Sequence, residues 1–240
     1  MSRVAIVTGG TRGIGAEISR ALHTAGYRAI ATYARNAEQA KCFHEETGVP
    51  TAAFDVGDFE ACRKGIEAIV AEHGPVDILV NNAGITRDVF LHKMPLDAWH
   101  DVVATNLNSL FNTCRVVIGP MRERGFGRIV NIGSINGQAG QVGQTNYAAA
   151  KAGMIGFSKA LALESATKNV TVNVICPGYI DTEMVQAVAP EIREQIRRKI
   201  PVGRFGEPAE IARAVLFLVA DDAGFITGST LTANGGQYMA

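Results

Sequence analysis

A tyrosine and a lysine four residues apart, Tyr147-Ala148-Ala149-Ala150-Lys151, form the most reactive pattern in this sequence. On a helix, side chains at i and i+4 share a face and can act on one ligand. Free tyrosine titrates near pH ~10, so its phenol is a poor acid or base near neutrality. An adjacent ammonium favours the phenolate and lowers that pKa. Such a pair can protonate a developing alkoxide or, in reverse, deprotonate an alcohol. Ser134 follows an apolar run, in Asn131-Ile132-Gly133-Ser134, and its hydroxyl is suited to hold the carbonyl oxygen that Tyr147 would protonate. Asn106 interrupts an apolar helical stretch, where an amide is either satisfied in the core or bends the helix. Each feature alone has a plainer reading: a chance helical pair, a turn-forming serine, a core amide.

A second cluster suits a phosphorylated ligand. Val4–Thr8 reads as a strand that runs into Gly9-Gly10-Thr11-Arg12-Gly13-Ile14-Gly15 and then a helix. Glycines there allow a tight turn and let the backbone approach a pyrophosphate. The free N–H groups and positive end of the following helix would hold the anion. The spacing is G-x-x-x-G-x-G rather than the commoner G-x-G-x-x-G. The second strand ends at Tyr33-Ala34-Arg35-Asn36, without the acidic residue that would take a ribose 2′-hydroxyl. A carboxylate would repel a 2′-phosphate, whereas Arg12 and Arg35 would pair with it, which favours NADP over NAD. Asp55-Val56 would meet an adenine edge, and Asn81-Asn82-Ala83-Gly84 ends a further strand beside the ligand crevice.

Positioning these groups requires alternating strands and helices. Strands are expected at Val4–Thr8, Arg28–Tyr33, Thr51–Phe54, Asp77–Val80, Arg128–Ile132, Thr171–Cys176 and Thr230–Leu231. Helical faces are marked by Ile14, Ile18 and Leu22, by Phe59, Cys62, Ile66 and Ile69, and by Ile211, Val215 and Leu218. Strands apolar throughout imply helices on both faces of the sheet, and the β–α alternation predicts a doubly wound parallel sheet. A helix is expected over Ala104–Met121 and another, rich in Ala and Gly, over Thr145–Lys168. Thr182–Pro201 is polar, interrupted by Pro190, and reads as a mobile insertion near the end of a strand. No linker or repeat divides the chain, so one domain over residues 1–240 is expected.

With those motifs in order, the sequence resembles the short-chain dehydrogenase/reductase family over nearly its whole length. The resemblance rests on T-G-x-x-x-G-x-G at Thr8–Gly15, N-N-A-G at Asn81–Gly84, Ser134, Y-x-x-x-K at Tyr147–Lys151, and Pro177-Gly178. It implies a three-layer Rossmann fold with a mostly parallel seven-stranded sheet, order 3-2-1-4-5-6-7. It implies Tyr147 as acid/base, Lys151 lowering its pKa and holding the nicotinamide ribose, Ser134 orienting the substrate carbonyl, and Asn106 supporting Lys151 through a water relay. Gly9, Thr11, Arg12, Gly13, Ile14, Gly15, Arg35, Asp55 and Val56 would hold the rest of an NADPH. Asn82, Ala83, Gly84, Pro177, Gly178, Ile180 and Thr182 would line its nicotinamide half. The segment 182–201 would be a substrate lid, and the helices beginning at Ala104 and containing Tyr147 would build a homotetramer.

Two branches of the family are similar: reductases of acetoacetyl-CoA in poly(3-hydroxybutyrate) synthesis and reductases of β-ketoacyl groups on acyl carrier protein. The stretches Asn136–Tyr147, Gly84–Val89, Pro177–Ile180 and Asn234–Met239 look nearer to the first. That implies reduction of a 3-oxoacyl thioester, acetoacetyl-CoA to (R)-3-hydroxybutanoyl-CoA, with Asp88, Gln141, Gln144 and Tyr179 beside Ser134 and Tyr147 around the acyl arm. Amides and hydroxyls suit a pantetheine arm; the plainer reading is a polar surface loop. Arg122, Arg124 and Lys168 would serve an acidic carrier protein, but Gly125 stands where that branch often has Arg.

Composition narrows the alternatives. Lys plus Arg and Asp plus Glu both number 23, which argues against nucleic acid as the main partner. Cys42, Cys62, Cys114 and Cys176 are scattered with no C-x-x-C, so reduced thiols are expected rather than a metal or disulfide framework. No apolar run approaches a membrane span, and a cytoplasmic location is the default. A nucleotide-sugar epimerase shares the glycine turn and Y-x-x-x-K but needs a longer chain. A non-catalytic NADP sensor or scaffold would not need Asn106, Ser134, Tyr147 and Lys151 together.

Overall fold

The computed structural model describes residues 2–239, with Met184 described for its backbone only. The chain runs β1 (Val4–Val7), α1 (Gly13–Thr24), β2 (Arg28–Tyr33), α2 (Ala37–Thr47), β3 (Thr51–Ala53), α3 (Phe59–His73), β4 (Val76–Asn81) and α4 (Leu96–Val103). It continues through α5 (Ser109–Arg124), β5 (Gly127–Ile132), α6 (Ile135–Ala139), α7 (Thr145–Ser165) and β6 (Val170–Pro177). The last elements are α8 (Glu183–Gln186), α9 (Pro190–Arg198), α10 (Pro208–Val219) and β7 (Thr230–Ala233).

Every strand pairing is parallel, and the order is β3-β2-β1-β4-β5-β6-β7, as the family resemblance implies. The apolar strands explain the layering, because alternate side chains feed opposite faces. Ala5, Val7, Ile78 and Val80 pack with Ile18 and Leu22 of α1 and Val215 and Leu218 of α10. Val4, Ile6, Leu79 and Ile129 pack on the other face with Cys62 and Ile66 of α3 and Val117 and Met121 of α5. Each such side chain withdrawn from water contributes about 1.5–3 kcal/mol, so both helical layers are held by the sheet rather than by helix propensity. Strand order reverses at β1, which pairs with β2 on one side and β4 on the other. Ligands of open α/β sheets bind at that point, outside the carboxyl ends of the strands. Among the described residues, no helix is long and apolar enough to cross a membrane.

Two segments differ from the sequence reading. The helix expected over Ala104–Met121 opens with a π-helical turn, Ala104–Asn108, before α5 begins. The wide turn brings Asn106 fully inside the protein, and such turns are frequent at functional sites. The 182–201 segment, read as a mobile insertion interrupted by Pro190, contains α8 and α9. Pro190 opens α9 rather than breaking it, since its fixed φ suits a first helical residue and its missing N–H has no partner there anyway. Glu194 then pairs along α9 with Arg197 at 2.7 Å and Arg198 at 3.0 Å.

Candidate active site

The glycine turn sits at the point where strand order reverses. Gly9 and Gly13 have φ of +60° and +52°, backbone that other residues adopt at a cost. A Cβ on Gly15 would collide with the Gly9 carbonyl oxygen and the Asn82 side-chain amide. The turn is fastened to the β4 loop from both directions. The Thr8 hydroxyl accepts the N–H groups of Asn82 and Ala83, both at 3.0 Å, and the Asn82 amide donates to the carbonyls of Thr8 and Gly9 at 3.0 and 3.1 Å. Asn36 and Asp58 cap α2 and α3 with their side chains, but Arg12 gives α1 no such cap, and the first turn of α1 holds no acidic residue. Its first N–H groups and positive pole therefore face the glycine turn free for an anion, a donor set that fits a dinucleotide pyrophosphate.

The other expected cofactor residues surround this turn. Thr11 is buried, and Ile14 packs partly into the core. Arg12 and Arg35 are exposed, and among the described residues neither has an acidic partner. Asp55 closes a turn by accepting the Gly57 N–H at 2.8 Å, and Val56 beside it is buried. Across the crevice, the Gly178 N–H donates to the Ala233 carbonyl at 3.0 Å, and Ile180 bridges to Gly206. The methyl of Thr182 lies 3.8 Å from where a Cβ on Gly13 would stand, so the β6 loop reaches the glycine turn.

Tyr147 and Lys151 share one face of α7, with the Lys151 ammonium 5.6 Å from the phenol ring centre. Lys151 is buried and donates to the Ile132 carbonyl at 2.7 Å, tying α7 to the end of β5. The ammonium also opens toward the β4 loop, 3.8 Å from where a Cβ on Gly84 would stand. Ser134 follows β5 and caps α6, accepting the Asn136 N–H at 3.1 Å, which leaves its O–H to donate elsewhere. Among the described residues, the Asn106 side chain makes no direct hydrogen bond to Lys151. Its amide donates to the carbonyls of Ile85 and Val102, both at 2.9 Å, and accepts the Ile85 N–H at 3.1 Å. It braces the loop after Gly84.

Burial pushes the Tyr147 phenol up to about 12; Ser134 pulls it down by hydrogen bonding, and the charge of Asp88 pushes it further up. The lowering expected from Lys151 does not appear: burial dominates, and Ser134 rather than Lys151 is the group that pulls the phenol down. Near neutral pH the phenol keeps its proton, the form a proton donor needs. Burial also pushes Lys151 down to about 8, so most of it remains an ammonium at pH 7.

The residues expected around an acyl arm gather beside this pair. A cavity of about 440 Å³ lies between α6 and α9, lined by Ile135, Asn136, Gln141, Tyr179, Ile192 and Ile196 among others. Gln144 is tied into the frame: its amide donates to Asp88 at 2.7 Å and accepts from the Asn136 amide at 2.9 Å. Asn146, fully buried, accepts the Tyr147 N–H at 2.8 Å and donates to the carbonyls of Arg87 and Ala98. The sequence reading missed Asn136 and Asn146 as parts of the site. Three amides close before an i,i+4 Tyr–Lys pair were the available signal. Arg122, Arg124 and Lys168 do not flank the cleft of their own chain. They precede β5 and β6, and Arg124 bonds Val76 at the start of β4, which puts them at the amino ends of the strands.

A family profile described as enoyl-(acyl carrier protein) reductase matches residues 9–237. The chain belongs to the short-chain dehydrogenase/reductase family, and it is an oxidoreductase with a nicotinamide cofactor. It is 61% identical to an acetoacetyl-CoA reductase of Rhizobium meliloti (strain 1021) and 60% identical to one of Shinella zoogloeoides, each alignment covering 100% of both chains. A further relative, at 45% identity over 99% of both chains, is the 3-oxoacyl-(acyl-carrier-protein) reductase FabG of Haemophilus influenzae.

Proposed function

We propose that this protein uses NADPH to reduce acetoacetyl-CoA to (R)-3-hydroxybutanoyl-CoA, the hydroxyacyl thioester consumed in poly(3-hydroxybutyrate) synthesis. The observation that carries the reading is Tyr147, Lys151 and Ser134 meeting beside the Asn82–Gly84 loop, in a chain alignable end to end with relatives named for that reaction.

When bound, the nicotinamide supplies a hydride to the 3-oxo carbon. Ser134 would turn its O–H from the phenol to the carbonyl oxygen and fix the face presented. Tyr147, protonated at neutral pH, would deliver its proton to the oxygen as negative charge builds there. The Lys151 ammonium would hold the nicotinamide ribose and steady the phenolate left behind. Asn106 would keep the β4 loop in place around them. Arg12 and Arg35, neither of which has an acidic partner among the described residues, would meet the 2′-phosphate, and Gly9 to Gly15 with Asp55 and Val56 would hold the remaining dinucleotide. Gln141 and Tyr179, together with the hydrogen-bonding capacity left on Asp88 and Gln144, would contact the pantetheine arm. The 182–201 segment would be the lid of this single domain, a reading supported by Ile192 and Ile196 lining the cavity where the arm would lie. A cytoplasmic homotetramer completes the reading; exposed Phe111 on α5 and Leu163 on α7 support the assembly.

Acyl carrier protein is the second candidate carrier, since it presents the same arm and the FabG relative acts on it. Purified enzyme should turn over acetoacetyl-CoA with a higher kcat/KM than the same acyl group on carrier protein. The reverse ranking would transfer the enzyme to fatty-acid synthesis.

A further inference from the structure

The two groups that must meet the carbonyl oxygen come from different elements: Ser134 from the start of α6, Tyr147 from the first turns of α7. One residue bonds both sides of that junction. The Asn136 backbone N–H donates to the Ser134 hydroxyl at 3.1 Å, and its side-chain amide donates to Gln144, the residue preceding α7, at 2.9 Å. Gln144 is buried and in turn donates to the Asp88 carboxylate at 2.7 Å, which anchors the far end of the chain on the loop after β4. Three consecutive hydrogen bonds thus link the α6 cap to the start of α7, eight residues on, and both to Asp88, which is remote in sequence.

We propose that Asn136 is a positioning residue that sets the Ser134–Tyr147 separation through Gln144 and Asp88. Proton delivery requires both oxygens at hydrogen-bonding distance from one substrate atom, and small misplacements cost rate rather than binding. α6 and α7 also pack directly, a Cβ on Gly137 standing only 2.7 Å from that of Lys151, so loss of the Asn136–Gln144 bond would let the α6 cap shift against the start of α7 without separating the helices. The kinetic consequence rests on the reductase reading above; the geometric one does not.

The test compares Asn136→Ala, Ser134→Ala and the double variant with acetoacetyl-CoA at saturating NADPH. Asn136→Ala keeps the backbone bond to Ser134, and the side chain is only partly buried, so folding is not at stake. It should lower kcat about tenfold, the equivalent of one net hydrogen bond, with KM within about twofold. In the Ser134→Ala background it should lower kcat no further. An equal loss with Ser134 absent, or an effect on KM alone, overturns the proposal in favour of direct substrate contact. Asp88→Asn, which keeps an acceptor for Gln144, should lose less than Asp88→Ala; equal losses point to charge instead. Crystals of wild type and Asn136→Ala without substrate give a second readout. The Ser134 and Tyr147 oxygens should move apart or Ser134 change rotamer, and an unchanged pair overturns the proposal. A wild type inactive on 3-oxoacyl thioesters would refute the functional reading while leaving this geometric comparison decisive.

Discussion

Replacing Lys151 by methionine should stop turnover and yet leave the protein at least as stable at neutral pH. Lys151 is 3% exposed, and burial brings its pKa from the ordinary 10.5 to about 8. At about 1.4 kcal/mol per tenfold change in proton affinity, the folded state loses about 3 kcal/mol at pH 7 by keeping that charge. The sign follows from which state holds the proton more tightly. The folded pKa lies below the unfolded one, so the penalty is complete below pH about 8 and is relieved as pH rises from about 8 toward 10.5. Methionine fills similar space without charge. It also removes the donor to the Ile132 carbonyl, and an unpaired buried acceptor costs about 1–3 kcal/mol. The balance puts the variant between level with wild type and about 2 kcal/mol more stable at pH 7, an advantage that shrinks by about 1 kcal/mol at pH 9. Urea unfolding at both pH values and one protein concentration, with NADPH turnover in parallel, measures this. A variant several kcal/mol less stable by the same margin at both pH values would refute the claim that burial governs this lysine.

Three further outcomes are expected. Tyr147→Phe should lower kcat by about 10²–10⁴ while NADPH still binds, because only the proton donor is removed; a response surviving unchanged would favour a sensor. Arg35→Asp should raise KM for NADPH far more than for NADH, and equal effects would remove the 2′-phosphate assignment. Gly15→Ala should weaken NADPH binding, read by fluorescence titration, by at least about tenfold, the equivalent of one lost charge-assisted hydrogen bond. Wild-type affinity would show that the turn can adapt to the extra carbon.

The strands were readable because a doubly covered parallel sheet writes itself as apolar runs, uninterrupted in Val4–Val7 and broken only by the buried Thr171 and Asn173 in Val170–Pro177. The glycine turn and the Tyr–Lys spacing were readable because each is local: conformational freedom in one case, helical periodicity in the other. What lay hidden depends on distance along the chain or on enclosure. The Gln144–Asp88 bond joins residues 56 positions apart, which no local pattern records. The upward shift of Tyr147 comes from surrounding protein, and spacing to Lys151 alone suggests the opposite direction. Pro190 misled because proline both ends helices and begins them, and only the path of the preceding backbone decides.

The widened turn at Ala104–Asn108 ties this site to chain length as well as to residue type. A regular helix advances about 100° per residue, so the extra residue in that turn sets the rotational phase of everything after it. Deleting one position there would swing Cys114, Val117 and Met121 away from the sheet even as it drew Asn106 out of the loop it braces. The segment therefore accepts changes of side chain far more readily than changes of length, and an insertion or deletion would damage core and site together.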